Sequence, residues 1–226
     1  MDTGVVMQAP LFAALDDETA EQLILSMSSD EYAKGQEIFH EGNPGDSLYV
    51  ITRGKVKLGR RSQDGRESLL SVLGPGEMFG ELSLFDPGPR LTSATTVNDT
   101  TLIALHNEDL RTFISRHPEV AMQMLAGLAR RLRRTNEGLS DLVFTDVPGR
   151  VAKALLDLSA RFGQPHHSGG VRVPHDLTQE ELAQLVGASR ETVNKALADF
   201  AARGWLVLGA KSVTLLDTER LVRRAR

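Results

Sequence analysis

Two stretches of this 226-residue chain carry side chains whose types and spacing can do chemistry. The first is Gly80-Glu81-Leu82 followed, past a Pro87-Gly88-Pro89 loop, by Arg90 and Leu91. A short helical turn between two strand patterns would leave backbone N–H groups free near Gly80 to Leu84, where an anion is favoured. Arg90 is close enough along the chain to fold back as a forked counter-charge. That reads as a phosphate cradle. Glu81 would repel a phosphate unless its carboxylate accepts hydrogen bonds from hydroxyls such as those of a ribose. Phosphate and sugar together describe a nucleotide. The plainer alternatives are a surface arginine and a solvated turn carboxylate.

The second stretch runs from Asp176 to Leu197 and writes two short capped helices around a glycine. Thr178 with Glu181 three residues on forms a capping box, and Leu182, Leu185 and Val186 face inward. Gly187 ends that helix and Ser189 caps the next, whose apolar stripe is Val193, Ala196, Leu197 and Phe200 at the 3.6-residue period. The opposite face carries Arg190, Glu191, Thr192, Asn194 and Lys195, side chains able to meet base edges and phosphates in a major groove. This is a helix-turn-helix pattern, with an ordinary αα-hairpin as the alternative.

The elements that must position these residues are legible in outline. From Glu31 to about Ala104 short β-type runs are separated by turns, including Gly42-Asn43-Pro44-Gly45-Asp46 and Gln63-Asp64-Gly65-Arg66, as expected of a β-roll. A helical segment with Ala20, Leu23, Ile24 and Met27 precedes it. A helix from about Asn107 to Arg116 stops before His117-Pro118. In the long helix that follows, Leu125, Leu128, Leu132, Thr135, Leu139 and Leu142 are spaced 3, 4, 3, 4 and 3, the signature of a coiled-coil seam. Such a seam needs a partner, so a parallel homodimer is expected; the alternative is packing on the chain's own β-roll. Thr135 interrupts the leucines, where a buried hydroxyl needs a partner or sets register. Asp146-Val147-Pro148-Gly149 reads as a hinge, with a helix over 150–162 and a loop from Gln164 to Gly170 containing His166-His167. Trp205 to Leu208, a Gly209-Ala210-Lys211 turn and Ser212 to Leu216 read as a wing hairpin. The predicted fold class is α+β, with a β-roll domain over 1–117, a dimerisation helix over 118–145 and a winged helix-turn-helix over 146–226.

Composition constrains the chemistry. The net charge of −4 divides unevenly: residues 1–126 carry 10 Lys and Arg against 19 Asp and Glu, and residues 127–226 carry 16 against 11. The basic C-terminal part suits a phosphate backbone, which places DNA contact there. Zero cysteines exclude thiolate-held iron–sulfur clusters and a cysteine nucleophile. There is no Walker loop, no His/Asp metal cluster and no nucleophile–base pair, so neither an enzyme nor a metal site is expected. No apolar run is long enough to span a bilayer and no secretion signal is apparent, which points to a cytoplasmic protein with no membrane partner.

The β-roll pattern, Gly80-Glu81-Leu82 with Arg90, the seam helix and Ser189-Arg190-Glu191-Thr192-Val193 resemble the Crp/Fnr family of bacterial regulators over nearly the whole chain. Thr145 to Lys153 and Asp176 to Lys195 look most like its actinobacterial branch. The resemblance implies a homodimeric transcription regulator that binds cyclic AMP and palindromic double-stranded DNA and works with RNA polymerase. It implies that Glu81 takes the ribose 2′-hydroxyl, Arg90 the cyclic phosphate, and Thr135 and Asn136 the adenine, while Gly80 lets the backbone approach. Two positions depart from the family. Leu91 stands where a Ser or Thr often follows the arginine, and Lys195 stands where many members carry arginine, which removes the bidentate fork. The alternative is a regulator of this type that binds DNA without cyclic AMP or senses another ligand.

Overall fold

The structure, a computed structural model, describes residues 3–12, 15–62, 67–167 and 169–225; the turn expected at Gln63 to Arg66 lies outside them. The chain divides into two compact units, Met1–Arg61 with Leu70–Arg133 and Ser62–Leu69 with Arg134–Arg226.

The first part of the chain runs α1 (Thr3–Val6), α2 (Asp17–Leu25), β1 (Ser28–Tyr32), β2 (Glu37–Phe39), β3 (Ser47–Arg53), β4 (Val56–Arg61), β5 (Glu67–Leu73), β6 (Met78–Phe79), α3 (Leu82–Phe85), β7 (Ser93–Thr96), β8 (Thr100–His106), α4 (Asn107–Arg116) and α5 (Pro118–Phe144). Its strands form two sheets, ordered β1-β8-β3-β6 and β2-β7-β4-β5. Central strand β3 is apolar on both faces. Ile51 joins Phe79, Leu102, Val56 and Ala94 between the sheets, while Leu48 and Val50 meet Leu23, Leu110 and Met124 of the helices on the other face. A strand buried on both sides reads as a continuous apolar run rather than an alternating one. β3 also sets the site: pairing Tyr49 with Phe79 brings the segment from Ser47 to Tyr49 beside the end of β6, where Gly80 follows.

Helix α5 begins at Pro118, whose missing N–H needs no partner in the first turn. Val120 and Met124 are buried in the helical cluster, yet Leu125, Leu132, Leu139 and Leu142 are exposed and Leu128 is half-buried. Four of the five seam leucines are thus exposed on the single chain.

The second part continues with α6 (Val147–Phe162), β9 (Gln164–Pro165), β10 (Val171–Val173), α7 (Gln179–Val186), α8 (Arg190–Ala202), β11 (Leu206–Gly209), β12 (Ser212–Leu215) and α9 (Thr218–Arg224). Its core joins Val151, Leu155, Val186, Leu197, Phe200 and Leu215. Truncating the fully buried Phe200 to Ala would cost about 3–5 kcal/mol. Three local expectations are corrected. Helix α6 starts at Val147, not near 150, because the Asp146 carboxylate accepts from the Gly149 N–H at 2.9 Å, and Pro148 fits a first turn that has no intrahelical acceptor to lose. The segment after it is not all loop: β9 pairs with β10, which joins the wing to give the order β11-β12-β10-β9, and Pro165 is tolerated on the edge strand. The wing loop itself is Ala210-Lys211, since Gly209 pairs with Ser212.

Candidate functional site

Gly80 follows β6 with φ +85°, and a Cβ there would lie 2.8 Å from Arg90 Nη1 and 2.9 Å from the Ser47 carbonyl oxygen, so glycine is required twice over. Glu81 then stands at the N-cap position of α3 without a side-chain capping bond, and Leu82 is exposed on the first turn. The loop beyond α3 returns Arg90 to the same place: its backbone N–H donates to Asn43 O at 2.7 Å, and its carbonyl accepts from Gly42 N–H at 2.8 Å.

Both charged side chains are buried, Glu81 at 2% exposure and Arg90 at 6%. Arg90 Nη1 donates to Gly80 O at 2.9 Å and approaches Ser83 Oγ at 3.4 Å, and Nη2 donates to Ser47 O at 2.7 Å. Asp46 Oδ1 is 3.7 Å from Nη2. Burial pulls the guanidinium below its usual pKa, against the opposing charges of Tyr49, Asp46 and Glu81; an arginine so placed stays protonated. Glu81 Oε1 accepts from Arg131 Nη1 at 3.0 Å. Two atoms are left over. Glu81 Oε2, an acceptor, and Arg90 Nε, a donor, are buried with no hydrogen-bond partner. Orphaned buried polar atoms are costly unless a ligand satisfies them. An acceptor for a hydroxyl and a cationic donor for a phosphate fit a ribose-phosphate group.

Of the residues expected here, the structure brings Gly80, Glu81 and Arg90 together. Leu91 is 61% exposed and supplies no hydroxyl. Thr135 and Asn136 belong to the second unit, where both are exposed on α5. Sequence reasoning missed Ser47, Ser83, Phe39 and Arg131. For Arg131 the available signal was a cation immediately before the seam residue Leu132.

In the second unit the helix-turn-helix forms as expected. Thr178 Oγ accepts from Glu181 N–H at 3.1 Å and donates to Glu181 Oε2 at 2.9 Å, so this hydroxyl is already occupied within the capping box. Gly187 ends α7 at φ +68°, in the left-handed region. Ser189 Oγ accepts from Thr192 N–H at 3.2 Å and lies 2.8 Å from Thr192 Oγ1. Arg190, Glu191, Thr192 and Lys195 are exposed along one side of α8, with Lys195 Nζ 2.8 Å from Glu191 Oε1. Asn194 is half-buried and its Oδ1 lacks a partner. Arg150 fastens the turn: it donates to Val186 O at 3.0 Å, Gly187 O at 3.2 Å and Thr145 O at 2.7 Å. The wing is held by the Asp176 N–H, which donates to Lys211 O at 2.9 Å.

A β-roll with a buried glutamate and arginine, a long seam helix and a winged helix-turn-helix define a DNA-binding regulator that carries a small-molecule sensor. The cyclic nucleotide-binding domain family matches residues 29–117 and the Crp-like helix-turn-helix domain family residues 149–224. The chain is 55% identical to the CRP-like cAMP-activated global transcriptional regulator of Mycobacterium tuberculosis, over 98% of this chain and 99% of that one. Among solved structures it is similar to the catabolite activator protein of Thermus thermophilus, at 39% identity and TM-score 0.56 over 96% of this chain and 98% of that one. It is also similar to the c-di-GMP responsive global regulator CLP of Xanthomonas campestris, at 29% identity and TM-score 0.77 over 89% and 99%. The chain belongs to the Crp/Fnr family of transcription regulators, in its actinobacterial branch.

Proposed function

We propose that this protein is a cyclic AMP-responsive, homodimeric transcription regulator. The observation that carries the ligand is the pair of orphaned atoms, Glu81 Oε2 and Arg90 Nε, both buried and of opposite hydrogen-bonding character. Glu81 accepts the ribose 2′-hydroxyl. Arg90, with the backbone at Gly80, Leu82 and Leu91, holds the cyclic phosphate. Thr135 and Asn136 take the adenine from the dimer helix. No residue is assigned a catalytic role, and no metal is needed.

The domains are 1–117 for sensing, 118–145 for pairing and 146–226 for DNA. Two copies pair along the exposed seam of α5, so that two α8 helices face two half-sites of a palindrome. Thr178, Ser189, Arg190, Glu191, Thr192, Asn194 and Lys195 form the DNA-reading and phosphate-holding set. Ligand acts by binding the DNA-competent arrangement better than the other one, which shifts the population toward it. The dimer works in the cytoplasm and presents promoter DNA to RNA polymerase.

Calorimetric titration with cyclic AMP and cyclic GMP, with and without a palindromic duplex, tests this reading. Tighter cyclic AMP binding in the presence of duplex, and the reciprocal effect, are expected from linkage. Equal affinity with and without DNA would contradict the coupling. A second reading, a sensor of a different nucleotide, is favoured by the apolar and exposed Leu91, which leaves the phosphate one hydroxyl short; a c-di-GMP titration in the same format discriminates.

A further inference from the structure

Arg90 is the site's cation, and a guanidinium binds phosphate by its planar edge, so whatever fixes its plane fixes its affinity. In this chain the plane is held from one side by an aromatic ring. Arg90 Cζ lies 4.3 Å from the centroid of Phe39 and 5.9 Å from that of Tyr49. Phe39 is itself held rigid, with ring centroids 5.9 Å from the fully buried Phe79 and 6.0 Å from Tyr49, which stacks on Phe79 at 5.3 Å.

The backbone aims this ring. Strand β2 pairs Glu37 with Thr95 and Phe39 with Ala94, so the register slips by one residue between them. A bulge of this kind redirects the side chain that follows it. The same short segment then continues to Gly42 and Asn43, whose backbone groups bond to both the N–H and the carbonyl of Arg90. One stretch of chain therefore grips Arg90 at its backbone and at the face of its side chain. With Nη1 and Nη2 donating to Gly80 O and Ser47 O, Nε is the buried donor left for a ligand, and the Phe39 ring covers one face of the guanidinium that carries it.

We propose that Phe39 is a positioning residue for the phosphate of the bound nucleotide, acting through a cation–π contact that orients Arg90. The inference rests on the cyclic AMP reading above, and the test separates the two. Cyclic AMP is titrated calorimetrically into the 226-residue protein as wild type, Phe39→Leu, Phe39→Tyr and Phe39→Trp, and into Phe39→Leu in an Arg90→Lys background. A wild type that does not bind cyclic AMP overturns the ligand reading and this inference with it. With a binding wild type, Phe39→Leu is expected to lose about 3- to 30-fold in affinity, the range of a partly desolvated cation–π contact. Phe39→Tyr or Phe39→Trp, whichever gives the wild-type thermal transition, should stay within about threefold, because either ring keeps the platform. In the Arg90→Lys background, where no planar guanidinium remains to orient, Phe39→Leu should cost less than about twofold. Unchanged affinity in Phe39→Leu, an equal loss in the aromatic variants, or an equal loss with and without the guanidinium would overturn the proposal.

Discussion

Arg131 Nη1 donates to Glu81 Oε1 at 3.0 Å, tying the long helix α5 to a carboxylate whose side chain is 2% exposed while the arginine's is 41% exposed. The pair is half in water, so its value is that of a partly screened, charge-assisted hydrogen bond rather than of a fully buried bridge. Arg131→Met should destabilise the protein by about 1–2 kcal/mol, because a buried carboxylate loses its donor. A double-mutant cycle with Glu81→Gln, read by urea unfolding, should return a coupling of at least about 0.5 kcal/mol. Strict additivity would mean that the two side chains do not depend on each other.

Arg90→Ala should reduce cyclic nucleotide affinity by more than about 1.5 kcal/mol, since it removes the cationic partner of the phosphate. It should also lower thermal stability, because Ser47 O and Gly80 O each lose a guanidinium hydrogen bond inside the fold, Gly80 O keeping only that from Ser83 Oγ. The two effects are separable by titrating at a temperature well below the variant's transition. Full affinity at that temperature would sink the assignment of Arg90 to the phosphate.

Which of these features could be read from the residues alone follows from sequence distance. The capping box at Thr178 and Glu181, the left-handed Gly187 and the 3-4 spacing of the seam leucines are local devices, and local chemistry specifies them. Glu81 and Arg90 were recognisable because they lie within one loop of each other. Arg131 with Glu81, and Phe39 with Arg90, are pairs about fifty positions apart that only the folded chain brings together. Near the hinge the local rules themselves conflicted. Pro148-Gly149 reads as a breaker, but the same residues are compatible with a first helical turn once Asp146 caps it. The two-residue strand β9 carries no period at all, and pairing with β10 defines it.

That cap has a pH signature. The Arg224 guanidinium, 2.6 Å from Asp146 Oδ2, and the Gly149 N–H hold the Asp146 carboxyl below the usual carboxylate range. A depressed folded-state pKa stabilises the fold above the unfolded value of about 4, and the contribution disappears as pH falls through the lower folded value. With Asp146 61% exposed, the ion-pair contribution is no more than about 1 kcal/mol. Asp146→Asn should keep the cap, lose that contribution at neutral pH and flatten the fall in stability between about pH 5 and pH 3. An unaltered acid limb in chemical denaturation would assign the acid sensitivity to other carboxylates.

Thr135 is the polar residue in a seam whose leucines, apart from the half-buried Leu128, are exposed on the single chain. If it serves the adenine, Thr135→Leu should repair the apolar stripe, keep or tighten the dimer and weaken cyclic AMP binding. Sedimentation and calorimetry on the same sample decide between the roles, because loss of the dimer would instead make the threonine a register device.

Arg190 and Lys195 stand just over one turn apart on α8 but in different circumstances. Arg190 is exposed in the first turn of α8; with α8 as the proposed reading helix, that end would face base edges, where a forked guanidinium matches guanine O6 and N7. Lys195 is already 2.8 Å from Glu191 Oε1, with both side chains more than 70% exposed, so reaching a phosphate requires only exchange of a weak surface pair. Arg190→Ala should cost about 1–3 kcal/mol and relax base preference at one position of each half-site. Lys195→Ala should weaken all sequences alike and reduce the salt-dependence slope by about one for each phosphate no longer held. Binding-site selection at two salt concentrations reads both effects at once. The selected duplex should be a palindrome with half-site centres about 34 Å apart, one helical turn; a lone half-site, or an Arg190→Ala protein with unchanged preference, would contradict the assignment of α8 as the reading helix of a symmetric dimer.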